Sequence, residues 1–217
     1  MPSAANIAFS ENSKDVLELW SIRQGLTPPG LARKASVVNR TAVIFITACW
    51  ESYIEDLAFE AFEFLLTNAA TSAAIPIKVR TLATKSIFAQ KDASKVWDIA
   101  DSGWRTLLVA HKADIKTNWL GNFNTPKTPQ VNGLYNELLG IGRLSDKWYW
   151  AGMSAKNAGD KLDEYISIRG DIVHRLTHAE TVYKHWGKDY LGHISKIVKC
   201  CEVAVSEHIR QAVGTTP

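Results

Sequence analysis

An all-α, antiparallel helical bundle is the fold this sequence predicts, on three observations. The 45-residue run from Leu31 to Ile75 contains neither glycine nor proline. Its apolar residues Val43, Ile46, Trp50, Ile54, Leu57, Ala61 and Phe64 or Leu65 return at three- and four-residue steps, the period of a buried helical face. Near the end of the chain, Ile194, Ile197, Val198, Cys201, Val205 and Ile209 repeat that period, and no stretch shows the two-residue alternation of a strand.

The elements follow in order. Ser10 or Asn12-Ser13 offers a cap for a first helix that runs to about Gln24, an extension ahead of the core, closed by Gly25 and the Thr27-Pro28-Pro29-Gly30 turn. The longest helix spans roughly Arg33 to Asn68. Pro76 opens another, to about Phe88, because proline suits a first helical position. An amphipathic segment from Lys91 to about His111 carries Val96, Trp97, Ile99, Trp104, Leu107 and Leu108, weakened by Gly103. Gly121, Pro126, Pro129 and Gly133 mark residues 118–133 as a loop, ahead of a short helix over Leu134–Leu139. Ser154 is placed to cap the next helix, and Gly187 separates that from a final one over about 189–213. One domain over 1–217 is expected, with its core at about 33–213.

Composition narrows the class. Hydrophobic residues make up 46% of the 217 and include eight tryptophans, enough to fill a real core. The net charge of +3 permits a polyanionic partner without demanding one. Cys49 and the adjacent Cys200 and Cys201 make no disulfide framework, which fits a reducing compartment. The opening Met-Pro-Ser-Ala-Ala-Asn has no basic region followed by an apolar run, and the apolar run Val43–Trp50 is too short to span a bilayer. A cytoplasmic protein without a membrane partner is the expectation.

The chemistry gathers in Leu162–His174. There Arg169 and His174 interrupt an apolar stripe of Leu162, Tyr165, Ile166, Ile172 and Val173, where charge is costly unless something answers it. Five residues at about 100° each put the two roughly 140° apart on an ideal helix, so they do not share a face. Cooperation would need a bend, which Gly170 could permit, a flexible arginine, or a second subunit. Asp171, three residues before His174, could orient the imidazole. A structural arginine paired with a helix carboxylate, beside a histidine at the core edge, is the alternative.

Glu51 and Glu55, four apart, share one helical face. Either both are solvated, or at least one turns inward with Trp50, Tyr53 and Ile54 and neutralises Arg169. His174 and His178 have the spacing of two metal ligands on one helix, but the three protein ligands and helper carboxylate of a catalytic zinc site are incomplete, so no metal is assigned. Lys78, Arg80, Lys85, Lys91 and Lys95 form a modest basic region, either a phosphate track or a solvated face. A phosphate-binding glycine loop, a nucleophilic Ser or Cys motif and a DNA-recognition helix are all missing.

Arg-x4-His late in a helical chain resembles the HEPN superfamily, many of whose members are metal-independent ribonucleases. Ala48-Cys-Trp-Glu-Ser-Tyr-Ile-Glu-Asp-Leu57 is similar to the second-helix signature of its RiboL-PSP-HEPN branch, in which Trp-Glu-x-Tyr-x-Glu precedes the Arg–His helix. The similarity covers about residues 35–213. It implies a four-helix core and a homodimer that cleaves RNA without a cofactor, as toxin or anti-phage defence proteins do. Arg169 and His174 would be catalytic, supported by Glu51, Glu55, Gly170 and Asp171. It also implies a possible antitoxin or regulatory protein partner, since the superfamily includes non-catalytic modules that bind a protein or nucleotide and regulate an associated enzyme. One departure stands out: the family usually has Asn, His or Asp directly after the arginine, where this chain has Gly170.

Overall fold

The computed structural model describes all residues but 1, 27, 29, 90, 91, 121–125 and 175–185. Its helices are α1 (Ala4–Gly25), α2 (Ala32–Asn68), α3 (Ile77–Ala83), α4 (Lys85–Ala89), α5 (Gly103–Leu120), α6 (Thr128–Leu139), α7 (Ala155–His174) and α8 (Trp186–Val213). Short 3-10 segments lie at Ser72–Ala74, Ala93–Ile99 and Leu144–Lys147. Among the described residues no strand forms; Trp150 and Met153 make an isolated antiparallel bridge.

The spine is α2. At about 1.5 Å per residue its unbroken run is roughly 55 Å long, enough to contact most other elements. Its buried stripe of Val43, Ile46, Trp50, Ile54, Leu57, Ala61 and Leu65 is the one the sequence spacing marks, and Leu65 takes the last position while Phe64 is half-buried. Thr47, Cys49, Tyr53, Ala58, Phe62 and Leu66 are buried too, so the apolar face is wide. It is covered by α1, α6, α7 and α8.

Large aromatic residues lock this core because their polar tips find partners. The Trp50 indole donates to the Pro126 carbonyl at 3.0 Å, and the Tyr135 hydroxyl donates to that of Ile54 at 2.9 Å. Trp148 donates to the Cys201 sulfur at 3.1 Å and meets Trp50 edge-on, with centroids 6.0 Å apart. Satisfied in this way, each ring buries its area without the cost of an orphaned donor.

The first helix begins earlier than its sequence suggests. Ser3, not Ser10 or Asn12, is the cap: its hydroxyl accepts from the Asn6 amide at 3.0 Å. The first turn has no acidic residue, and carboxylates from elsewhere replace it. Glu60 of α2 accepts from the Ala4 and Ala5 amides, and Glu202 of α8 from the Ser3 amide and hydroxyl. Free amides at a helix start are such a cap's natural targets.

Between α2 and α7 the structure differs from the sequence reading. The expected helix after Pro76 is divided at Thr84 into α3 and α4. The segment expected to be one amphipathic helix over 91–111 is a 3-10 turn and then α5, which starts at Gly103, a position where a Cβ would run into the Asp98 carbonyl. Of residues 118–133, read as loop, 118–120 end α5, 121–125 lie outside the described residues, and 128–133 are the first half of α6. Pro129 lies in its first turn, where a missing amide costs nothing, and the burial of Val131, Leu134, Tyr135, Leu138 and Leu139 outweighs the weakness of Gly133. Gly140 ends α6 with φ of 69°, a left-handed position 2.7 Å from the Pro76 side chain had it a Cβ. Gly187 lies inside α8 rather than before it.

Candidate functional site

Ser154 caps α7 as its sequence predicts, accepting from the Asn157 amide at 3.2 Å. Ala158, Gly159, Leu162, Tyr165, Ile166 and Ile172 form the buried face. Asp163 ties α7 to the start of α6 by accepting from the Thr128 amide and hydroxyl at 2.7 and 2.9 Å. Lys127 adds a 2.9 Å bond to the Ser167 hydroxyl.

Arg169 stands three residues after Ile166 and three before Ile172, so it continues the inward stripe and is half-buried. Two helices answer it. From α8, Tyr190 stacks on Tyr165 with centroids 4.2 Å apart, and its hydroxyl lies 3.0 Å from that of Thr47 on α2. One turn beyond Thr47 on α2 comes Glu51. Burial raises the Glu51 carboxyl above its usual range, and the Arg169 guanidinium pulls it back down. Tyr190 behaves alike: burial pushes its phenol up, while the Thr47 bond and Arg169 oppose that. Arg169 therefore occupies the seam of α2, α7 and α8, where it opposes the upward shift that burial imposes on Glu51 and on Tyr190.

The two carboxylates singled out by spacing have different surroundings. Glu55 is half-buried like Glu51, but Arg169 does not relieve it; burial first, and then the charges of Glu51 and Asp56, push its carboxyl up to about 7. No direct ion pair joins Arg169 to either carboxylate among the described residues, so the influence on Glu51 acts at longer range.

His174 is the last residue of α7 and is exposed. The helix runs unbroken through Gly170, which is half-buried and would have open space around an added Cβ. Arg169 thus looks toward the bundle and His174 toward solvent, as the roughly 140° of five helical residues requires. Asp171 is half-buried on the same turn. His178 lies outside the described residues, and with it the His-x3-His pair. Among the described residues no three His, Cys, Asp or Glu side chains gather as metal ligands, and no helix is long and apolar enough to cross a membrane.

Sequence reasoning missed Tyr190 and Thr47 as neighbours of the arginine seam. A signal was there: Tyr190 lies four residues before Ile194, one turn earlier on the apolar stripe of α8, and Thr47 and Glu51 are one turn apart on α2. The basic residues Lys78, Arg80 and Lys85 are exposed, Lys95 pairs with Asp98 at 3.2 Å, and Lys91 lies outside the described residues.

Both motif helices fall within residues 10–207, which match the family model described as RiboL-PSP-HEPN. The chain belongs to the RiboL-PSP-HEPN family. No curated protein and no solved structure matches it. In this RiboL-PSP-HEPN chain the matched span takes in most of α1, which the sequence reading left ahead of the family similarity, and runs through most of α8, so Glu51, Glu55, Arg169 and His174 all lie inside it.

Proposed function

We propose that this HEPN domain is a metal-independent endoribonuclease whose active unit is a homodimer, and that Arg169 and His174 are its catalytic residues. The observation that carries this reading is the Arg169 setting: a guanidinium half-buried beside Glu51 and Tyr190, on the same helix as an exposed histidine. Cleavage within RNA needs a base to take the 2′-hydroxyl proton as that oxygen bonds to phosphorus. It needs an acid to protonate the 5′-oxygen as the P–O bond breaks, leaving a 2′,3′-cyclic phosphate. It also needs a cation for the charge on the phosphorane-like transition state. The planar fork of Arg169 suits the last task, and imidazole serves either proton transfer near neutral pH.

One chain supplies one such histidine. A two-fold axis beside the end of α7 would bring two copies of His174 to one phosphate, as base and acid, with Arg169 from each chain nearby. Pairing by a two-fold axis is the commonest assembly of identical chains. It fits the outward aim of His174. Residues Gly170, Asp171, Glu51 and Glu55 then support the site, Glu51 by orienting the arginine. A toxin or defence role, with an antitoxin or regulatory protein as partner, fits such an activity, as does a cytoplasmic location.

A second reading rests on Gly170 and on the separate faces of Arg169 and His174: a non-catalytic HEPN module that binds a protein or nucleotide and regulates an associated enzyme. Incubation of the purified chain with total RNA in excess EDTA separates the two. The ribonuclease reading expects cleavage that survives chelation and is lost in His174→Ala. It also expects sedimentation as a dimer, and mixed Arg169→Ala and His174→Ala chains with activity unlike either alone. Inertness toward diverse RNAs supports the regulatory module.

A further inference from the structure

Far from the Arg169 seam, residues 77–99 carry an arrangement the proposed chemistry leaves unused. Within this stretch α3, α4 and the 3-10 turn Ala93–Ile99 pack on one another and on α5, forming a lobe at the far end of α2. It is attached through α3, which also packs on α6, and through α5, whose Arg105 guanidinium donates to the carbonyls of Leu66 and Ala69 and whose Lys112 pairs with Glu63. Yet its outer residues are apolar where solvent should be met by polar ones. Trp97 is 80% exposed, Ile77 73% and Phe88 70%. Two large rings this open, on one short lobe, have no packing role in the bundle.

Charge indicates what covers them. Lys78, Arg80 and Lys85 lie on the same lobe without a carboxylate partner among the described residues. The lobe's described carboxylates are already engaged, Asp92 by the Ser94 amide and hydroxyl and Asp98 by Lys95. Cations and exposed aromatic rings on one lobe suit a chain of phosphates joined to flat bases, since every base offers a π-face to stack and every linkage an anion. The helices α3 and α4 are too short to enter a duplex groove as a recognition element, which favours a single strand.

We propose that the 77–99 lobe is a docking face for single-stranded RNA, with bases stacked on Trp97 and Phe88 and phosphates met by Lys78, Arg80 and Lys85. RNA rather than DNA rests on the ribonuclease reading above. From Glu51 to Leu66, where the α5 that carries the lobe is anchored, is about 22 Å along α2 at 1.5 Å per residue. The face is thus separate from the Arg169 seam within one chain, and it contributes affinity for the strand rather than the rate of the chemical step.

The test uses the full chain and a fluorescent 2′-O-methyl oligonucleotide of mixed sequence, which cannot be cleaved through a 2′-hydroxyl. Anisotropy should report binding that weakens with salt. Trp97→Ala and Phe88→Ala should each weaken it between about 5- and 150-fold, the range for losing one stacked base. Lys78→Ala with Lys85→Ala should weaken it and flatten the salt dependence. On a cleavable RNA, the ring variants should raise KM with kcat kept. No binding by the wild-type chain overturns the proposal. So does unchanged affinity in the ring variants, and an altered sedimentation coefficient in those variants would then give the face to a protein contact. Binding without any cleavage removes the ribonuclease reading and leaves the face. Cleavage with KM unchanged in the ring variants removes the face and leaves the ribonuclease.

Discussion

Burial raises the Glu51 carboxyl on α2, and Arg169 on α7 opposes that rise without cancelling it, although the two make no direct ion pair. The pair joins the Arg–His helix to the helix that bears the second family motif. A charged group half-buried in the bundle is thereby partly offset.

The strength of that link can be bounded. Removing a partner from a fully buried ion pair costs about 3–5 kcal/mol, but half-exposed groups without direct contact resemble surface pairs worth about 0–1 kcal/mol. The Glu51 carboxyl is raised overall, because burial outweighs Arg169, so Glu51→Gln should leave the unfolding free energy within about 1 kcal/mol of the wild type, measured by urea denaturation. The same variant should reduce RNA cleavage more than any stability change explains, because the arginine would lose its orienting charge.

Glu55 gives a pH signature with a definite sign. Its carboxyl is raised to about 7 in the folded chain, so the folded state holds a proton that the unfolded state has released. Its favourable state is fully present below the ordinary carboxylate range and is lost as pH rises toward about 7. Glu51 is shifted in the same direction. Stability should fall between about pH 4.5 and 7 from this source, and Glu55→Gln should flatten that fall. At pH 8 the variant should be more stable by about 1 kcal/mol, after discounting a half-exposed group for solvent screening. Parallel denaturation curves at pH 5 and 8 check this; equal pH dependence in both proteins would refute it.

Gly170 should prove replaceable as far as folding goes. A Cβ there meets open space on a regular helix, so Gly170→Ala should stabilise by up to about 1 kcal/mol through helix propensity. For a chain of this size that corresponds to roughly 2–4 °C in Tm. A lower Tm in scanning calorimetry would mean that the glycine serves a backbone shape other than the regular helix.

How much of this was legible depended on the kind of signal. The spine α2 was plain because a long stripe without Gly or Pro has few other ways to bury itself, and the final helix because its apolar residues keep the helical period from Ile194 to Ile209. The 77–139 stretch was not, since Pro129, Gly103 and Gly133 read as breakers while their effect depends on packing that sequence does not show. Gly103 in particular answers the Asp98 carbonyl, a contact known only in three dimensions. The Arg169–His174 motif was visible as spacing, and the separate faces followed from helical geometry. Spacing could not decide between Glu51 and Glu55, because both lie on one face. Nor could it join Thr47 to Tyr190, which are 143 residues apart in the chain. The cap on α1 was hidden for the same reason, since its carboxylates come from α2 and α8.

Single-turnover cleavage of a defined RNA in EDTA, by the wild type, Arg169→Ala and His174→Ala, tests the account most directly, with circular dichroism to verify the fold. His174 is exposed and Arg169 half-buried, so both variants should keep the helical spectrum. Each should lose cleavage by about 10²–10⁴-fold, the range for removing a proton-transfer group or a transition-state charge partner. Wild-type cleavage that persists undiminished in either folded variant would contradict the assignment of that residue, and in both it would place the chemistry elsewhere in the chain.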